Sequence, residues 1–229
     1  MSILVTGPLR GAYGQKSVCH VLISPALGAR FSQVLITLER EGLCAGNTGA
    51  NQYFMYVLEG SASVVLGARK HRLEVGSYAY LPAGQDVQIA SGAAASRVLI
   101  FQKEYQPLPG VAKPAGFAAH EREVKSTPVR GNDDLRLQAL LPDHPGFDMA
   151  VNILTCQPGA APAEVEAPVM ERGLMLLQGQ GICRLQADWH PVQAGDVIWT
   201  APYCPQWFVA MGKTPAACIC YQDVNRDPM

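Results

Sequence analysis

The stretch EVEAPVMERGLMLLQGQG, residues 164–181, has the outline of a metal site in a small β-barrel, a run of strand closed by a glycine turn. A metal there needs donor atoms with lone pairs, and neutral imidazole is the commonest of them. Where such a site would carry histidines, the chain has Pro168 and Arg172. Proline has no side-chain donor, and a guanidinium is a permanent cation with no lone pair to give. Arg172 suits two other tasks. It can pair with Glu166, neutralising a carboxylate that would be costly to bury alone. It can also clamp a carboxylate ligand, whose two oxygens match the guanidinium fork. Farther on, Cys218, Cys220 and Gln222 alternate, so they share one strand face. The thiols there either pack as small core groups or form a soft-metal site from Cys183, Cys218 and Glu166, with Gln206 assisting. A nearby Arg172 would oppose the metal and lower a cysteine pKa.

Other chemistries find little support. The five histidines, among them His71 and His190, form no ligand-spaced cluster. No Ser-His-Asp order, phosphate-cradling glycine loop or nucleotide fingerprint is present. A formal net charge of −1 gives no reason to expect nucleic acid or an anionic membrane surface. No apolar run reaches the ~18 residues that a membrane span needs. The opening MSILVTGPLRGAYG lacks the charged start and apolar core of a secretory signal. Seven cysteines are an odd number without paired spacings, which points to free thiols in a reducing cytoplasm. The expected partner is therefore a small molecule, with neither nucleic acid nor membrane.

The elements that would hold these residues come from a duplication. Gly60 and Gly179 are 119 apart, as are Gly76 and Gly195, His71 and His190, and Leu66 and Leu185. The same offset places VLITLE at Val34 opposite ILTCQP at Ile153. Each unit reads as short strands such as FMYVLEG, ASVVLG and GICRLQ, parted by Gly, Pro, Asn or Asp turns. Helical periodicity is confined to a short turn expected around Asn132 to Leu141. The fold class is all-β, with two tandem barrels. The first covers 1–115 with an N-terminal arm and the second 116–229; Lys103 to Pro145 reads as the connection.

Gly76-x5-Pro82-x-Gly84 fits the second cupin motif, and GDVIWTAPYCPQW, Gly195 to Trp207, is a variant of it. Counting back from Gly179 by the first cupin motif puts Glu166, Pro168 and Arg172 on its ligand positions, with Gln206 on the fourth. The same count from Gly60 gives Asn47, Gly49 and Tyr53, with Val87 fourth, so the first barrel has no ligand set. GFDMAVNIL, the stretch from LLQGQG to Thr214 and the ending YQDVNRDP resemble the bicupin family of (S)-ureidoglycine aminohydrolases.

That resemblance implies a manganese enzyme of purine and allantoin breakdown, converting (S)-ureidoglycine to ureidoglycolate and ammonia. It implies a homo-oligomer with metal only in the C-terminal barrel, bound by a glutamate, two histidines and a glutamine. Glu166 and Gln206 keep the matching ligands, and Pro168 and Arg172 do not. Cys183 and Cys218 stand at two family tyrosines and Gln222 at a family lysine. Manganese is expected from the family and not from this ligand set. Two readings follow: an aminohydrolase, or a metal-free bicupin that binds a small carboxylate or ureido acid through Arg172.

Overall fold

The computed structural model describes residues 5–6 and 13–224. The chain divides into two compact units, Met1–Glu123 and Val124–Met229. No α-helix occurs among the described residues, only the 3-10 turns Pro25–Leu27 and Glu121–Glu123. No helix is long and apolar enough to cross a membrane among those residues.

The first unit is one ten-stranded antiparallel sheet. Its long strand Ser32–Asn47 pairs with Ser96–Glu104 through Val34↔Ile100 and with Asp86–Ser91 through Gly46↔Val87. One strand thus belongs to both walls and ties them together. Inward residues of these strands and of Asn51–Glu59 and Ser61–Leu66, including Ile36, Met55, Val64 and Ile100, fill the interior with branched and aliphatic carbon. Tyr13–Ile23 lies antiparallel along the long strand, with Cys19 opposite Ile36, so this part of the N-terminal arm belongs to the sheet. Phe117–His120 pairs with Ser77–Leu81, Phe117 opposite Tyr80. That pairing carries the first unit to Glu123, past the 115/116 division read from the linker's composition.

The second unit holds a six-stranded and a three-stranded antiparallel sheet. Arg172–Gln178 lies in the larger sheet between Ala216–Asp223 and Val197–Thr200. The smaller sheet is Asp188–Gln193, Gln180–Leu185 and Gln206–Met211. The helical turn expected around Asn132 to Leu141 is instead a strand, Asn132–Ala139, with Leu135 opposite Cys156. Ladder bonds to neighbours on both sides, with Leu135 buried, outweigh a weak local helical preference.

The duplication is visible in the register. Val64 faces Ile89 as Cys183 faces Phe208, which is the 119-residue offset. Gly60 and Gly179 both adopt positive φ, 70° and 76°. Upstream the offset changes. Ile36 pairs with Val98 as Leu154 pairs with Cys218, and 154 − 36 = 118. The expected match of Val34 with Ile153 is therefore one residue out. A one-residue slip exchanges the two faces of a strand, so the register of ladder bonds decides the matter.

Candidate functional site

A cavity of about 120 Å³ lies inside the second unit, between its two sheets. The register explains why it is there. Cys183 takes the place of Val64, Cys218 that of Val98, and Cys220 that of Ile100. Each exchange puts a smaller thiol where the first unit packs a branched aliphatic chain, and packed interiors leave no room unfilled when volume is kept. The other wall side chains are almost all carbon, such as Leu154, Leu174, Leu176, Ile198 and Phe208.

One end of the cavity is polar. Glu166 and Gln206 form an isolated antiparallel bridge, each N–H donating to the other's carbonyl at 2.9 and 2.7 Å. That bridge brings both side chains to the cavity wall. Arg172 opens its strand beside them. Its Nη1 donates to Glu166 Oε2 at 2.9 Å and its Nε to Gln222 Oε1 at 3.1 Å. The ion pair is partly shielded, with 23% of the arginine and 36% of the glutamate side chain exposed. Arg172 Nη2 makes no hydrogen bond among the described residues. Two further polar atoms are buried and unpartnered, Gln206 Nε2 on the cavity wall and Thr200 Oγ1, whose residue is not on the wall. Thr200 is opposite Arg172 in the ladder and has the inward parity of Ile198.

Of the residues singled out from sequence, Glu166, Arg172, Cys183, Gln206 and Cys218 line this one cavity. Gln222 touches Arg172 but is not on the wall. Pro168 is not on the wall either; its carbonyl accepts the Tyr203 N–H at 2.7 Å. Glu171 points to the opposite face, accepting from Trp199 Nε1 at 3.2 Å. None of the five histidines is on the wall. In the first unit Tyr53 is buried, Asn47 donates to Asp86 at 2.7 Å, and Asn47 accepts the Gly49 N–H at 2.8 Å. These contacts shape a turn and a core and bring no ligand set together.

Thr200, Phe208 and the Leu174–Leu176 pair went unremarked in the sequence. A signal for Thr200 existed: it lies two residues beyond Ile198, on the same alternation, inside the variant cupin motif. Trp207 also borders the cavity and fixes the preceding loop through Nε1 to the Pro162 carbonyl at 2.7 Å.

The residues present do not fit a manganese ion. The guanidinium lies against the one carboxylate, and a fixed positive charge at contact distance repels a dication. The thiols do not compensate. Burial pushes the Cys183 thiol up to about 11, with Cys204 adding to it. Burial raises Cys220 to about 11 as well, outweighing the lowering by Arg172. Cys218 is raised well above the ordinary range, by burial first and Cys220 second. Soft metals bind thiolates, and these groups hold their protons at neutral pH. Among the described residues, no three of His, Cys, Asp or Glu are grouped so as to hold a metal. All seven cysteines are free.

These thiols bear on stability at high pH. A thiol whose pKa is raised on folding keeps its proton in the native state while the unfolded chain releases it from about pH 8.5. The contribution is complete below that pH and is lost as pH rises toward 11. The expected outcome is a fall in the unfolding free energy from urea titration between about pH 9 and 11, by on the order of 2 kcal/mol per thiol. Cys183→Ala should flatten the fall, and an unchanged profile would contradict these assignments.

Comparison with known proteins gives a consistent answer. No family model matches the chain. It is 36% identical over 212 residues to "Probable (S)-ureidoglycine aminohydrolase" of Oryza sativa subsp. japonica, covering 91% of this chain and 67% of that one. It is 32% identical over 211 residues to the (S)-ureidoglycine aminohydrolase of Escherichia coli K12, covering 90% and 80%. The crystal structure of protein Ylba from E. coli superposes with a TM-score of 0.85 at 28% identity, covering 99% and 89%. Oxalate decarboxylase of Bacillus subtilis, a protein with Mn(II) centres, superposes at 0.70 with 14% identity, covering 100% and 79%, which shows the fold alone.

Proposed function

The chain belongs to the (S)-ureidoglycine aminohydrolase family and has a bicupin fold, and from that premise we propose that it is a metal-free, carboxylate-binding member. The observation that carries this reading is the Arg172 guanidinium at 2.9 Å from Glu166, where the resemblance implies a metal. The arginine neutralises the carboxylate in place of a cation. The wall still has donors to spare, because Arg172 Nη2 is unspent and Gln206 Nε2 is orphaned. A carboxylate bound there would satisfy both, and charge-assisted hydrogen bonds are the strong ones.

The ligand's negative charge meets a site that is already balanced by Glu166, so affinity depends on hydrogen bonds and shape more than on net attraction. Hydrolysis is then not the task. No side chain on this wall is placed to take a proton from water at neutral pH without losing its ion pair, and the thiols keep theirs.

Titration calorimetry with propionate tests the reading. Binding should weaken about tenfold or more in Arg172→Lys, which keeps the charge against Glu166 and loses the fork. Ammonia release from (S)-ureidoglycine should stay near the uncatalysed rate. No propionate binding, or an unchanged affinity in Arg172→Lys, would overturn the reading. Enzymic ammonia release would favour the activity of the family instead.

A further inference from the structure

We propose that the cavity selects short aliphatic monocarboxylates, with about two or three carbons beyond the carboxyl group and no polar groups along them; this rests on the carboxylate reading above. The head group is fixed by Arg172 and Gln206 at one end. The body is specified by what comes next on the same strand. Arg172, Leu174 and Leu176 are successive inward residues, so moving away from the guanidinium the wall turns at once to leucine. Ile198, Phe208 and Cys218 face that space from the neighbouring strands.

A ligand entering head first toward Arg172 therefore lays its remaining atoms against carbon and protonated thiol. These offer a ureido, hydroxyl or amino group no strong partner. A polar group desolvated there without a hydrogen bond is penalised, so the wall rejects polar acids as well as accepting apolar ones. Size is bounded as well. A cavity of ~150 Å³ lined by Leu, Ile and Phe takes a molecule as large as benzene, so about 120 Å³ holds roughly five non-hydrogen atoms.

The space exists because thiols replace the first unit's Val64, Val98 and Ile100. Refilling it with the first unit's own residue should shorten the preferred ligand. Cys218→Val is the mildest such change, since a branched aliphatic side chain already packs at the equivalent position in the same fold.

Calorimetric titration of the intact protein with acetate, propionate, butyrate, octanoate and 3-hydroxypropionate tests the proposal. Affinity should rise about fourfold per added methylene from acetate to propionate or butyrate. It should drop for octanoate, and 3-hydroxypropionate should bind more than tenfold weaker than butyrate, which has the same number of non-hydrogen atoms. In Cys218→Val the optimum should move to a shorter acid. Carboxylates that bind with no dependence on chain length, 3-hydroxypropionate that binds tighter than butyrate, or an optimum unmoved in Cys218→Val would overturn the proposal and leave the carboxylate reading standing. Failure of every acid to bind would remove both.

Discussion

Replacing Pro168 and Arg172 together by histidine is expected to convert a protein holding well under one equivalent of manganese into one that binds close to one. The double change removes the cation lying against Glu166 and frees both Glu166 and Gln206 to ligate. It adds two neutral imidazoles, which supply much of the affinity and geometry of a site of this kind. Manganese affinity should rise by roughly 100-fold or more, since even outer-shell partners change metal affinity by ~10–100-fold. Pro168 is the harder position. Its carbonyl receives the Tyr203 N–H, so the new side chain has to reach the cavity from a residue now outside the wall.

Activity is expected to lag behind metal binding. Cys183, Cys218 and Gln222 stand where the family resemblance implies two tyrosines and a lysine, and a metal alone would not rebuild that environment. Electron paramagnetic resonance of the double variant after dialysis measures the gain. A double variant that folds and binds no manganese would show that the two substitutions are not what removes the metal.

Gly179→Ala should cost roughly 3–5 kcal/mol, enough to lower the melting temperature by about 10 °C. Gly179 has φ 76°, and a Cβ there would lie 2.6 Å from the Pro215 carbonyl oxygen and 2.7 Å from the Ala216 Cα. Both neighbours are backbone of the adjoining strand segment, so relief requires moving the sheet. Gly60 repeats the geometry 119 residues earlier, with φ 70° and a Cβ position 2.2 Å from the Ala95 carbonyl oxygen. Gly159 is the control. It has φ 81° with open space around the Cβ position, so Gly159→Ala should show only the dihedral penalty, about 1 kcal/mol. Urea unfolding of the three variants separates strain from collision. Equal losses at Gly179 and Gly159 would mean that the close approach carries no weight.

The duplicated glycines also show what was legible in the sequence. Turn glycines and the residues spaced from them survive divergence of the strands between, because backbone conformation allows little else there. From them the chain yields two β units, and Glu166, Arg172, Cys183, Gln206 and Cys218, singled out by counting from those glycines, line one cavity. What stayed hidden depends on neighbours far along the chain. The strand Asn132–Ala139 is held by bonds to Met149–Cys156 that no local pattern announces. The one-residue change of register near Val34 leaves only a faint mark in the letters. The 118 offset matches Thr37 with Thr155 but sets Val34 against Asn152, while the 119 offset matches Val34 with Ile153 but sets Ile36 against Thr155. Phe117–His120 was read as linker because its strand partner lies some forty residues upstream, at Ser77–Leu81. The Glu166–Arg172 pair was legible as chemistry, because a guanidinium six residues from a carboxylate at a ligand position has few alternatives. The unspent donors at Thr200 and Gln206 are a matter of geometry and were not.

Arginine stands where the resemblance implies a metal, and the metal content of the unmodified protein tests that replacement most directly. Protein from manganese-supplemented cells, purified without chelators and measured by plasma mass spectrometry, is expected to hold well under one equivalent of manganese, with no further loss in Glu166→Ala. One equivalent of manganese that disappears in Glu166→Ala would contradict it.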